Sequence, residues 1–426
     1  MDEPPEAPRL RELARHFTVP GLQFAALDGD AVRAFEFGDR RLGEPGPVGA
    51  ETPFPLASVT KVLIATVVLQ LAEESDLDLD APIAEHLPGL GRLGESTARR
   101  LLSHTSGVPD LPARQLGPEA PLAEHVRADP DVALVCAPGT FSYSNFGYAM
   151  LCHLVEVVLG MGWREAARSF VLAPLGVPEP AGDTPATAEH AVHLATGAVA
   201  VVEPELPACV VAAGTVALSA RQLLPLAAVH CGPSAVIAPA TAALMREPVG
   251  GAEPFGLAAG WGLGLASFGD GWFGHDGNTG GTTCTLRIHP QRRRALVLTT
   301  NATSGRRLAE QFLAELEVGS YRAPAPAETL GGAELRAVAG QLCGTYRSGD
   351  RVVEVALGGD GGLSFGGSGI VLFRDLLFRL APPPGQPGGA TSDEFRDVHR
   401  FLRSPVTGRV DALQFGGARV MSRQQV

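Results

Sequence analysis

Lys61 is the only lysine in a chain of 426 residues; every other basic side chain, histidine apart, is arginine. A guanidinium stays protonated, whereas a buried amine can give up its proton and act as a base. Ser58 stands three residues earlier, in Ser58-Val-Thr-Lys61. Positions three apart share a helix face, so this spacing puts the amine one turn behind a hydroxyl that it can activate as a nucleophile. The start of a helix also directs free N–H groups and the positive end of its dipole at that serine. SxxK by itself is a common pattern, but here the lysine is unique.

Two further segments carry polar groups suited to the same chemistry. Tyr143-Ser-Asn145 lies in GTFSYSNFGYAML, just after Pro138. A tyrosine phenol relays a proton between a serine and a leaving group when nearby cations lower its pKa. Asn145 can offer its NH2 to a substrate amide carbonyl. The alternative is a loop tyrosine that caps the helix expected over 146–159. Gly274-His275-Asp-Gly277-Asn278-Thr-Gly-Gly281 then forms a glycine-rich edge beside a strand. Such an edge lets a substrate backbone approach and leaves N–H groups for an oxyanion. His104, in LLSHTSG, has a comparable setting but no evident proton task. The other histidines lack a frame of this kind and read as structural.

The elements that must position these groups are partly legible. Residues 22–28 and 32–37 flank Gly29-Asp30 as a β-hairpin, and 284–289 with 295–300 make a second. Residues 58–74, apolar nearly all round after Pro53 and Pro55, read as a buried central helix beginning at Ser58. Helices and loops dominate from about 76 to 230, and 306–317 is a helix. Strands near both sequence ends with helices between them predict an α+β fold, one antiparallel sheet flanked by helices with a helical insertion. Residues 1–320 form that unit and 321–335 a Pro/Ala-rich linker. Residues 336–426, short alternating runs between Gly/Pro turns, form a small all-β barrel or meander.

Composition removes several classes of function. Hydrophobic residues are 45% and charged residues 19%, which excludes disorder. The net charge of −12, without a basic block, disfavours nucleic acid and anionic membranes as partners. The run Val62 to Ala72 falls short of the ~20 residues that a membrane span needs. Six cysteines lie scattered without CxxC spacing or a Cys/His cluster, which reads as buried thiols in a reducing compartment and supports no metal site. The N-terminus MDEPPEAPRL is acidic and proline-rich with no apolar stretch, so the chain reads as cytoplasmic.

SVTK, LLSHTSGVPD (101–110), YSN, AAGTVALS (212–219) and GHDGNTGG, in this order, resemble the serine β-lactamase and penicillin-binding-protein superfamily, in its class C β-lactamase-like and D,D-peptidase/esterase branch. The resemblance covers roughly residues 15–318. It implies Ser58 as acylated nucleophile, Lys61 and Tyr143 as the general-base system, and Asn145 as ligand of the substrate amide. His275 takes the place where many relatives carry lysine in a KTG triad, Gly277 gives the strand clearance, and the N–H groups of Ser58 and Asn278 form the oxyanion hole. A weakly charged imidazole holds a carboxylate less firmly than an ammonium does, which argues against efficient antibiotic hydrolysis. Residues 336–426 resemble, by pattern only, the lipocalin-like barrel appended to some members, among them the penicillin-binding-protein-type thioesterases that cyclise non-ribosomal peptides.

The expectation is a serine acyl-enzyme hydrolase or acyltransferase with no cofactor and no metal. It acts on an ester, thioester or amide of a small-molecule or peptidyl acyl substrate, with an amine as a candidate acceptor in biosynthesis. The alternatives are a plain esterase or D,D-peptidase-like hydrolase and, in another class, a non-catalytic binding module on the same fold.

Overall fold

The computed structural model describes residues 3–424 except 113, 115, 118–119, 131, 179–185, 195, 204–206, 208–209, 211–213, 215, 382–397, 405 and 417. A seven-stranded antiparallel sheet runs in the order Ala31–Gly38, Gly21–Asp28, Arg294–Thr300, Thr283–His289, Trp272–Asn278, Ala266–Gly269, Gly260–Trp261. Both expected hairpins are neighbours in it, joined because Leu22 to Asp28 pair with Thr300 to Arg294 across the two sequence ends. Alternation along Arg294–Thr300 assigns the faces. Ala295 and Val297 enter one core, whereas Leu296 and Leu298 enter the other.

The second face is covered by the helices Ala7–His16 and Gly305–Glu315, whose Leu10, Leu13, Leu308 and Phe312 are buried there. Against the first face lies the helix Thr60–Glu73, apolar on all sides because it is enclosed on all sides. The helix Asn145–Leu159 packs on it and stops at Gly160, whose φ of +66° closes the last turn in the left-handed conformation. The insertion is less purely helical than expected. Glu189–His193 pairs with Ala198–Val202 around Thr196-Gly197, and Phe54–Pro55 pairs with Ala217–Leu218. Alanine at 191, 198 and 200 blurs the alternation that marks such strands. Ala212, Ala213 and Thr215 of AAGTVALS, and 394–397 of the run 394–402, lie outside the described residues.

The C-terminal region is a closed eight-stranded barrel from Gly344–Ser348 to Arg419–Arg423, with first and last strands paired through Tyr346 and Arg423. The apolar run 370–380 is two strands, Ser368–Leu372 and Leu377–Leu380, reversed at Leu376 with φ +63°. The helix Gly332–Leu342 begins inside the segment read as linker. It places Ala339 and Leu342 in the barrel core, and Tyr346 donates its hydroxyl to the Leu342 carbonyl at 2.7 Å. Among the described residues no single helix is long and apolar enough to cross a membrane, and no group of three His, Cys, Asp or Glu side chains is placed to hold a metal.

Candidate active site

Ser58 sits in the tight turn Ala57–Val59, which runs straight into the Thr60–Glu73 helix, so the helix proper starts two residues later than expected. Ala57 before it has φ +47°, a left-handed conformation that costs an alanine about 1–2 kcal/mol. Strain of this kind persists only where surrounding contacts impose it. Here the chain is fixed on one side by the Leu56 N–H bonded to the Val216 carbonyl and on the other by the strand that carries Gly277. A Cβ on Gly277 would stand 2.2 Å from the Leu56 carbonyl oxygen and 3.0 Å from the Ser58 nitrogen, so only glycine allows this approach.

Lys61 is 1% exposed, with Nζ 3.1 Å from Ser58 Oγ and 2.7 Å from Asn145 Oδ1. Burial dominates its titration and brings the pKa down to about 7, with Asp110 pulling it up and Arg419 pushing it down. At neutral pH a large share of the molecules therefore holds a free amine beside the serine.

Tyr143 also reaches the serine, exchanging a hydrogen bond with the Ser58 hydroxyl. The expectation that cations would lower its pKa is not met. The Lys61 ammonium position lies 5.3 Å and the Arg419 guanidinium 5.0 Å from the ring centroid, yet burial of the phenol outweighs the Ser58 hydrogen bond and the Arg419 charge and moves its pKa up. Tyr143 is thus a neutral phenol able to pass a proton on, not a resting phenolate. Its neighbour Ser144, not Tyr143, caps the following helix by accepting from the Gly147 N–H at 2.8 Å.

Asn145 is more committed than the sequence indicates. A carboxylate only accepts, so the amide NH2 faces Asp110, donating to Oδ1 at 2.9 Å, and the amide oxygen faces Lys61. Of the two N–H groups expected for a substrate carbonyl, one is already engaged. Asn145 is first a holder of the lysine.

His275 stands on the Trp272–Asn278 strand with its ring 5.2 Å from that of Trp261 and 6.4 Å from that of Tyr143. Nδ1 is 2.8 Å from the Asp276 carbonyl oxygen, which can only accept, so Nδ1 carries the proton and Nε2 the lone pair. Burial, reinforced by Lys61, lowers the pKa to about 4. The imidazole is neutral at pH 7, a correction to the weakly charged carboxylate holder expected for this position. Asn278 follows Gly277 at the exposed end of the strand, its Oδ1 accepting from the Thr283 hydroxyl at 3.2 Å.

Three residues given no role by sequence reasoning join this cluster. His104 stacks on Tyr143 with centroids 4.2 Å apart, its Nδ1 accepts from the Ser144 N–H and its carbonyl from the Ser142 N–H, so it holds the tyrosine loop from below. Asp110 ends the same LLSHTSGVPD segment, and its position there was the only signal available. Arg419, in the last barrel strand, bonds Asp110 through Nε at 2.6 Å. Nothing in its sequence surroundings marks it.

The Beta-lactamase family profile matches residues 10–320. Penicillin-binding protein 4 of Amycolatopsis lactamdurans is 34% identical over 319 residues, which are 69% of this chain and 84% of that protein. The crystal structure of SurE superposes with a TM-score of 0.82 at 34% identity over 98% of each chain, and SurE with D-Leu gives 0.81. A class C β-lactamase from Rhodobacter sphaeroides, 21% identical, shares the fold over 73% of this chain and 99% of its own, with a TM-score of 0.59.

Proposed function

Because this chain belongs to the serine β-lactamase and penicillin-binding-protein superfamily, we propose that it is a serine acyltransferase that forms an acyl-enzyme on Ser58 and passes the acyl group to an amine. The observation that carries this is the buried, unique Lys61 at 3.1 Å from Ser58 Oγ. Ser58 Oγ attacks the carbonyl of an ester, thioester or amide while its proton moves to Lys61 Nζ. The N–H groups of Ser58 and Asn278 receive the oxyanion. The tetrahedral intermediate collapses, the bond to the leaving group breaks, and Tyr143 passes that group the proton collected by Lys61. An amine then adds to the acyl-serine, gives its proton to the same pair, and expels Ser58 with its hydroxyl restored.

Two features favour transfer over peptidase action. A D,D-peptidase substrate ends in a free carboxylate, and neutral His275 supplies no positive charge to hold one. Its Nε2 lone pair suits an N–H donor, such as a substrate amide or an amine. The barrel also lies on the rim of the site, where Ala418 accepts from the Tyr143 N–H, and a walled cleft favours a bound amine over bulk water. The likeness to SurE, solved with D-Leu, makes D-amino-acyl esters and thioesters the first donors to test. A fluorophosphonate or fluorescent penicillin should label the wild type covalently and leave Ser58→Ala unlabelled. With an acyl thioester and a panel of amines, mass spectrometry should find amide in excess of acid. Labelling that survives in Ser58→Ala removes the nucleophile; acid as the only product leaves a plain esterase or peptidase.

A further inference from the structure

A chain of short bonds leads from the barrel to the base. Arg419 Nε donates to Asp110 Oδ2 at 2.6 Å. Asp110 Oδ1 accepts from the Asn145 backbone N–H and from its side-chain NH2, both at 2.9 Å. Asn145 Oδ1 accepts from Lys61 Nζ at 2.7 Å, and Nζ is 3.1 Å from Ser58 Oγ. The barrel end of this chain is pinned on both sides of Arg419. Ala418 accepts from the Tyr143 N–H, and the Val420 N–H donates to Ser142 Oγ at 3.0 Å. A second strand adds Gln414 Nε2 bonded to the Phe141 carbonyl at 2.8 Å. The barrel thus grips the loop 141–145 that carries both Tyr143 and Asn145.

We propose that Arg419 and Asp110 are positioning residues for Lys61, so that docking of the C-terminal barrel sets both the placement and the basicity of the amine beside Ser58. The inference rests on Lys61 being the base of the proposed function, and it assigns the barrel a part in the proton chemistry itself.

The charge arrangement gives this a sign. Among the described residues, the titratable groups around Lys61 include Tyr143 and Tyr148, whose rings lie 5.3 and 5.6 Å from Nζ, together with His104, His275, Cys152, Asp110 and Arg419. Burial keeps both tyrosines, both histidines and the cysteine uncharged at neutral pH. Among these groups the full charges are Asp110, which favours the ammonium, and Arg419, which opposes it. Together they offset each other and leave burial in control. Removing either one unbalances the base, in opposite directions.

The uniqueness of Lys61 makes the test direct, because lysine labelled with 13C at Cε gives one resonance in the full-length protein without substrate. Its titration midpoint, expected near 7 in the wild type, should rise by about one unit in Arg419→Gln and fall by about one unit in Asp110→Asn. The acidic limb of kcat/KM for acylation should move with it, and Arg419→Lys should restore the limb to its wild-type pH. Arg374→Ala, which removes an exposed pair to Glu334 at 2.9 Å within the C-terminal region, should leave the midpoint unchanged. Arg419 and Asp110 are 31% and 21% exposed in their side chains, and if Asp110→Asn does not fold, Arg419→Gln decides alone. An unmoved midpoint in Arg419→Gln overturns the proposal, and a loss confined to KM would then make Arg419 a substrate-binding residue. Since the titration needs no acyl donor, absence of acylation would defeat the proposed function while a shifted midpoint would still stand.

Discussion

An amine enclosed by protein is held against its own tendency to be solvated and charged, and Lys61 takes its chemistry from that imbalance. Unfolded, it titrates near 10.5; folded, near 7. Between those values the unfolded chain binds a proton that the native chain does not, so stability falls as pH drops from 10.5 toward 7 and is level below. Lys61→Met removes both the penalty and the base. It should abolish acylation, raise stability at pH 7 by about 1–2 kcal/mol, and flatten the rise in denaturation midpoint between pH 7 and 9.5. Urea titrations at the two pH values check this, and a less stable variant at pH 7 would mean that the Asn145 bond outweighs the burial cost. Ser58 and Lys61, the proposed nucleophile and base, were readable as a pair because spacing and rarity both point at them. The proton state of Tyr143 was not, since it depends on burial, which the letters Tyr-Ser-Asn do not encode. Asp110 lies within its motif but carries no mark of a role there, because its task is to hold another side chain.

At the scale of elements the site is a meeting of three segments, namely the strained turn at Ala57, the loop before the Asn145–Leu159 helix, and the strand Trp272–Asn278. The turn and the strand come together because Gly277 has no side chain. Gly277→Ala would drive a methyl into the Leu56 carbonyl at 2.2 Å, with no flexible neighbour to yield. The strand must move away from Ser58, opening the place proposed for the oxyanion. Acylation should drop by about 10²–10³-fold, the loss typical of one missing oxyanion donor. Stopped-flow acylation with a chromogenic ester measures it, and a decrease under threefold would show that the two backbones can separate without harm. Both hairpins of the main sheet and the central helix were visible as alternation or as unbroken apolarity. The Glu189–Val202 hairpin and the helix Gly332–Leu342 were not. Alanines interrupt the alternation of the hairpin, alanine and glycine make up much of the helix, and small residues carry little periodic signal.

The whole molecule is a catalytic unit with a barrel seated on its rim, and no sequence pattern could have revealed that seat. A β-meander can be recognised from turns and alternation, whereas the surface it docks against depends on three-dimensional fit. The seat combines the buried Gln414–Phe141 bond, the Arg400–Glu253 pair with Arg400 4.6 Å over Phe255, and a small apolar contact of Val135 with Ala412 and Val420. Arg400 and Gln414 are themselves bonded at 2.6 Å, so they act as one clasp. If the barrel wall keeps water from the acyl-serine, releasing this clasp should alter the fate of the acyl group as well as its formation. Removing Gln414 leaves the Phe141 carbonyl without its partner, a loss of about 1–3 kcal/mol that falls on the docked state. The double variant Arg400→Ala/Gln414→Ala should therefore show, beside any slowing of acylation through the loop 141–145, a ratio of acid to amide that rises severalfold at fixed amine concentration. Hydrolysis gains because water needs only access, whereas the amine depends on being held at high effective molarity beside the ester. An unchanged ratio, with the barrel shown to be loosened by faster proteolysis, would mean that the wall does not control water and that acceptor choice resides in the catalytic unit alone.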